Sequence, residues 1–231
     1  MSGGDEHAVA QLAAIAPDPR RPLILCDVDE VALEFVAPFR ALLREEDLRL
    51  GDGAFRLHGN VFDDGGRAVE DARVSTLIDR LFDEQASRQA PVAGAAEALA
   101  EIARIGSVVL LTAMRHGHLE QRARHLHENG MAYPVATAER SKGAAIASLG
   151  HRAPVVFIDD LPSNHRDVLS QVPDATCIHF MADATLRALV PPLPEGVRRA
   201  ATWPGVLGIV RDAIARSPRS GVARAPHEFR P

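Results

Sequence analysis

Pro22-Leu-Ile-Leu-Cys-Asp-Val-Asp-Glu-Val-Ala-Leu33 decides how this chain folds. Leu23 to Cys26 form a short apolar run behind a proline, and the run stops on two carboxylates, Asp27 and Asp29. An apolar run of that length, bounded by turn and charge signals, reads as a strand buried on both faces of a parallel sheet. In open α/β sheets, ligands bind outside the carboxyl ends of the strands. Two acids at that place are positioned for chemistry.

The same layout recurs downstream. Val108-Val-Leu-Leu-Thr112 ends on a hydroxyl, and Val155-Val-Phe-Ile158 ends on Asp159-Asp160. Tyr133 to Ala136 and Thr176 to Phe180 read as two further short strands. Between them, helical spacing covers Gly94 to Ile105, Leu119 to Glu128, Ser141 to Ser148 and residues 164–171. Trp203 anchors a last helix, Val206 to Ile214, and His7 to Ile15 reads as a lead-in helix on the surface. Strands alternating with helices at this spacing predict an α/β fold with a Rossmann-like, doubly wound parallel sheet.

Residues 35–90 interrupt that alternation. From Ala32 to Leu48 the spacing of Leu33, Val36, Phe39, Leu42 and Leu43 is helical. Residues 54–62 alternate like a small hairpin turning at Gly59, and Glu70 to Gln89 is a single amphipathic helix by its pattern. The expected organisation is a core of residues 1–34 and 91–215, a small and mostly helical insertion at 35–90, and a disordered tail at 216–231. That tail mixes Arg, Pro, Gly and Ser with almost no apolar pattern.

Composition excludes several roles. A net charge of −5 with no Lys/Arg-rich run gives no electrostatic case for nucleic acid. No apolar stretch is long enough to cross a bilayer, and the acidic start lacks the layout of a signal peptide, so a cytoplasmic protein with no membrane partner is expected. Cys26 and Cys177 lie in apolar runs and read as core, not as a disulfide or metal pair.

Parallel strands bring Asp27 and Asp29, Thr112, and Asp159 and Asp160 to one sheet edge. Four carboxylates gathered there repel one another, and a bound cation relieves that repulsion. Hard oxygen ligands, with a phosphate as co-ligand, describe a Mg²⁺ site. A hydroxyl opposite them, with the amides of the next turn, suits phosphate oxygens.

Asp27-Val-Asp29-Glu-Val, Thr112, Lys142 and Asp159-Asp160, in that order, resemble the four motifs of the haloacid dehalogenase (HAD) superfamily. The resemblance covers roughly residues 22–180, with the insertion where that family carries its cap domain. It implies a Mg²⁺-dependent phosphatase acting on a small phosphate monoester. Asp27 would be the nucleophile that forms an aspartyl-phosphate, and Asp29 the acid and then the base. Thr112 and the amide of Ala113 would hold the phosphoryl group, with Arg115 within reach, and Lys142 would neutralise charge. Mg²⁺ would be held by the Asp27 carboxylate, the Asp29 backbone carbonyl and Asp160, with Asp159 direct or through water. Small caps in this family admit sugars, nucleotides or short metabolites.

Lys142 carries independent weight as the only lysine in the chain; every other cationic side chain of that kind is arginine. A compact ammonium fits among carboxylates where a planar guanidinium does not. The insertion therefore lacks the Schiff-base lysine of phosphonate-cleaving relatives, and Asp29 is the residue dehalogenase relatives lack. Glu30 departs from the family's frequent glycine after the second aspartate. A phosphomutase shares every core residue named, and a non-catalytic phosphate-binding module is the alternative from another class. Arg115, His118, Arg122 and His125 share a helical face that reads as solvated and basic. Phe55, His58, Asn60 and Phe62 either set specificity or merely pack the hairpin, and Asn164 either orients a metal water or starts a helix.

Overall fold

Alternation inside β1 explains the architecture. Leu23 and Leu25 point to one face of the sheet and Ile24 and Cys26 to the other, and all four are fully buried. A computed structural model describes residues 3–216. The first elements are α1 (Gly3–Ile15), β1 (Leu23–Cys26), α2 (Val36–Glu45), β2 (Leu48–Leu50), β3 (Val61–Asp63), α3 (Asp71–Asp83) and α4 (Gln85–Arg88). Next come α5 (Ala95–Ile105), β4 (Ser107–Thr112), α6 (Leu119–Glu128), β5 (Val135–Thr137), α7 (Lys142–Ser148) and β6 (Val155–Asp159). The chain continues through α8 (Pro162–Gln171), β7 (Thr176–His179), α9 (Ala184–Arg187), β8 (Arg198–Arg199) and α10 (Trp203–Arg216).

Six strands form one parallel sheet in the order β5-β4-β1-β6-β7-β8. Ile24, Cys26, Val108, Leu110, Val156 and Ile158 pack under α5 and α10. Leu25, Val109, Leu111 and Phe157 pack on the opposite face against α1, α7 and α8. Register levels the strand ends: Cys26 lies beside both Leu110 and Ile158. The Asp27 amide continues that pairing with a 2.8 Å bond to the Ile158 carbonyl.

The segment from α2 to α4 builds its own two-stranded antiparallel sheet and its own apolar cluster. Phe39, Leu42, Leu77 and Leu81 fill it, and Met114 and Met181 join it from loops on the main sheet, with Leu186 from α9. Several expectations change in this segment. The hairpin strands are Leu48–Leu50 and Val61–Asp63, so residues 54–60 are the loop between them and not a strand. Asn60 holds that loop by donating to the carbonyls of Gly51, Ala54 and Arg56. The single helix expected over Glu70 to Gln89 breaks at Glu84 into α3 and α4.

Two further expectations are corrected. The lead-in helix is part of the core, because Ala8 and Leu12 are buried and the Gln11 side chain accepts from the Thr137 amide at 2.7 Å. β8 has no apolar signal and was not foreseen; it pairs with β7 through Arg198 and Arg199. Residues 217–231, expected to be disordered, lie outside the described residues. Among the described residues, no helix is long and apolar enough to cross a membrane.

Candidate active site

Where β1 and β6 end, three carboxylates converge. Asp27, Asp159 and Asp160 are buried, and each offers an oxygen within 4.8 Å of the others. Lys142 reaches them from the first turn of α7, with Nζ 2.7 Å from Asp27 Oδ1 and 2.7 Å from Asp159 Oδ2. Its helix is pinned in place. Ser141 caps it by accepting from the Ala144 amide, and the Asp167 carboxylate on α8 accepts from Ser141 Oγ and the Gly143 amide. A glycine is required at 143, because a Cβ there would lie 2.5 Å from the Asp167 carbonyl oxygen. That contact brings α7 close enough to α8 for a lysine stem to reach the sheet edge.

Asp159 and Asp160 differ in what engages them. Asp159 is fully buried and accepts from Lys142, from Asn164 Nδ2 at both oxygens (Oδ1 2.9 Å, Oδ2 3.1 Å) and from the Leu161 amide. Asp160 instead lines a cavity of about 390 Å³, together with Asp27, Asp29, Ala113 and Asn164. Burial pushes the Asp27 carboxyl up to about 7, helped by Asp159 and Asp29 and opposed by Lys142. Burial, with Asp159 and Asp27 beside it, also raises Asp160 well above the usual carboxylate range. For Lys142 burial acts against the charge, but Asp159 and Asp27 outweigh it and the ammonium is strengthened. Hard oxygen donors at this separation, with an excess of negative charge, fit a divalent cation such as Mg²⁺. Of the three clustered carboxylates, Asp27 and Asp160 line the cavity and Asp159 does not.

Asp29 is held away from this cluster by a separate clamp. Its Oδ1 accepts from Gln89 Nε2 at 2.9 Å and Arg122 Nη1 at 3.0 Å, and its Oδ2 from Thr112 Oγ1 at 3.3 Å. Arg122 is fully buried, donates its other arm to Gln89 Oε1 at 3.0 Å, and lies 5.4 Å from the centre of the Phe82 ring. Glu30 makes a third connection. Its backbone has φ 65°, and its buried carboxylate accepts from the amides of Phe35, Val36 and Asp183. Those bonds satisfy amides left open at the start of α2 and tie the inserted segment to the loop after β7.

No family model matches the sequence, and no curated protein matches it. Solved structures do match in three dimensions. A haloacid dehalogenase-like family hydrolase from Xanthomonas campestris superposes with TM-score 0.53 at 17% identity, over 87% of this chain and 95% of the other. A HAD family hydrolase from Deinococcus radiodurans R1, with bound phosphate and sodium, gives TM-score 0.54 at 16% identity, over 85% and 97%. The magnesium-bound orthorhombic form of YfnB from Bacillus subtilis gives TM-score 0.56 at 14% identity, over 83% and 99%. The chain has the haloacid dehalogenase-like fold.

On this HAD-like fold, Asp27, Lys142, Asp159 and Asp160 come together as one cluster, with Ala113 and Asn164 lining the adjoining cavity. Thr112 is fully buried and turned toward Asp29 and the Met114 amide. Arg115 does not line the cavity; its exposed guanidinium pairs with Asp79 of α3 at 2.9 Å. Phe55 and His58 line the cavity, whereas Asn60 braces the loop and Phe62 lies against Arg49.

The helical face read as solvated and basic is a correction. Arg122 and His125 are buried, and His125 Nε2 contacts the Gln89 carbonyl at 2.7 Å. A signal for this existed, since Leu119, Arg122 and Leu126 follow the i, i+3, i+7 spacing of an inward stripe. Gln89 carried no local signal of its own.

The clamp leads to a prediction. Arg122→Met keeps the volume but frees the Asp29 carboxylate to rotate. For Asp29 in the acid–base role that the resemblance implies, a displacement of about 1 Å should cost on the order of 10²-fold. Steady-state kinetics should therefore show kcat falling by about that factor with KM within about threefold. A mere packing role would instead lower the melting temperature and leave kcat intact.

Proposed function

We propose that this chain is a Mg²⁺-dependent phosphatase that hydrolyses a small phosphate monoester through an aspartyl-phosphate on Asp27. The observation that carries the reading is the Asp27–Lys142–Asp159–Asp160 cluster at the carboxyl ends of β1 and β6, opening on a cavity. The fold shared with hydrolases supports it.

Asp27 attacks phosphorus with the carboxylate oxygen that faces the cavity, and the P–O bond to the alcohol breaks. Lys142 holds the other side of that carboxylate and offsets the negative charge that gathers during transfer. Asp29 supplies the proton to the leaving oxygen and then takes one from the water that cleaves the acyl phosphate. Arg122, Gln89 and Thr112 set where that carboxylate starts. Asp27 and Asp160 would hold Mg²⁺, which when bound neutralises the phosphate oxygens and favours ionised carboxylates. Asp159, engaged by Lys142 and Asn164, anchors the ammonium.

Chelation tests this reading. Phosphate release from monoesters should require Mg²⁺ and stop on addition of a chelator. Stability should respond in a pH-dependent way. Asp27 holds a proton up to about 7 in the metal-free fold against 3.8 for an ordinary aspartate, and Asp160 is shifted the same way. The folded state then keeps protons that the unfolded chain releases, so these acids cost stability as pH rises through that window. Mg²⁺ removes that cost. The melting-temperature gain from Mg²⁺ should thus be small at pH 5 and larger at pH 8, by roughly 5 °C or more. His165 and His179 are depressed by burial, His179 to about 4, and favour stability as pH rises toward 6.5. They act with or without metal and cancel in the difference. A gain independent of pH would count against a metal seated on Asp27 and Asp160.

A further inference from the structure

The cavity above the carboxylates divides sharply in character. Its floor carries the polar groups: Asp27, Asp29, Asp160, Asn164 and the turn at Ala113. Its walls are mostly carbon and sulfur. Phe35, Val36, Ile78 and Phe82 close it from the inserted segment, and Met114 and Met181 face them from loops on the main sheet. Phe55 and Leu57 descend from the loop between β2 and β3, and Leu186 and Leu161 complete the lining. Leu161 is the large apolar side chain exposed to solvent among the described residues, and it too lies here.

Three polar side chains belong to the rest of the lining: Glu30, Arg56 and His58. The Glu30 carboxylate is taken up by three backbone amides. Arg56 and His58 are exposed, and His58 Nε2 is 2.9 Å from Ser75 Oγ. Both belong to the solvent-exposed rim of the cavity. A sugar placed with its phosphate on the floor would press its hydroxyls against Phe, Ile, Leu and Met side chains. Hydroxyls buried without partners weaken binding by roughly tenfold each. An apolar group gains from the same surface, and thioethers adapt to flat rings or branched chains. The volume of about 390 Å³ lies within the range of small-molecule sites, about 300–1,000 Å³.

We infer that the substrate is the phosphate monoester of an apolar alcohol, carrying an aromatic ring or a short branched aliphatic chain, and not a sugar phosphate. This rests on the proposed hydrolase reading, and it narrows the range of sugars, nucleotides and short metabolites that the resemblance alone implies. Specificity then resides in the inserted segment, with Phe35, Ile78 and Phe82 facing the ring or chain and the floor holding the phosphate.

Two measurements on the intact wild-type protein with Mg²⁺ test it. Benzyl and isoamyl phosphate are compared with glycerol 3-phosphate and ribose 5-phosphate as substrates, all having alkyl leaving groups. The apolar esters should show kcat/KM at least about tenfold higher. Independently, calorimetry compares benzylphosphonate with methylphosphonate, which share a non-hydrolysable head group. Benzylphosphonate should bind at least about tenfold more tightly, and Ile78→Asn should shrink that ratio. Equal kcat/KM for the two ester classes, equal affinity of the two phosphonates, or no binding of either overturns the apolar assignment. Mg²⁺-dependent turnover without apolar preference overturns it while leaving the hydrolase reading in place. No turnover of any ester, with benzylphosphonate still preferred, does the reverse.

Discussion

Asp27→Asn should eliminate phosphate release, with kcat reduced by about 10³-fold or more and the fold retained. The amide keeps the shape of the carboxylate but offers no anionic oxygen to attack phosphorus, so both halves of the reaction fail together. Folding should survive, because the substitution removes a buried carboxyl whose ionisation is already opposed by its surroundings. Lys142 keeps Asp159 as its partner at 2.7 Å. Single-turnover kinetics with acid quench provide the check: wild type should yield a protein-bound phosphoryl group and the variant none. A variant that still releases phosphate near the wild-type rate would falsify nucleophilic attack by Asp27, whatever the metal dependence.

Lys142→Met acts on two quantities at once. Removing a preorganised charge from the site costs about 10²- to 10³-fold in kcat. The variant also leaves Asp27 and Asp159 facing each other in the interior with Asp160 alongside. Removing one partner of a buried ion pair typically costs about 3–5 kcal/mol. That loss should be largest at pH 8 and smaller at pH 5, because the stranded carboxyls bind protons in the folded state that the unfolded chain has given up. Lys142→Arg should not rescue it. The stem starts on a helix held against α8 at Gly143, with no slack for a wider planar head, and Phe157 lies 5.8 Å from the ammonium. Urea unfolding at the two pH values and steady-state kinetics measure both effects. Near-wild-type activity in the arginine variant would show that charge alone suffices.

Much of this site could be read from the chain. Short apolar runs ending on Asp27, Thr112 and Asp159 mark strand ends without any knowledge of partners, because burial on both faces leaves no polar position to confuse the pattern. A lone lysine among many arginines singled out Lys142 for a similar reason: composition had already excluded a generic cation. Other elements escaped because their causes lie far away in sequence. Arg122 is buried because Asp29 and Gln89 meet it, and neither is near it in the chain. Glu30 looked like a departure from a glycine pattern, and its φ of 65° shows why glycine suits that place. The three amides its carboxylate receives offset the strain. β2 hid inside an apparent helix, since α2 ends at Glu45 and Asp47 turns at φ 55° without a glycine or proline to announce it. β8 is two arginines long, too short for any pattern.

The position of β1 has a consequence for how the protein comes off the ribosome. This strand is made well before both its neighbours, since Leu23 pairs with Ser107 on one side and Val155 on the other. Until both have emerged, a run of four apolar residues waits with open edges, and such long-range parallel pairing is intrinsically slow. The loop carrying Asp27 and Asp29 is completed later still, when the Trp203 indole donates to the Val31 carbonyl from beneath at 3.1 Å. A nascent chain lacking α10 therefore carries the Asp27–Asp29 segment without the bond from Trp203 that supports it. That support arrives only once α10 has been made.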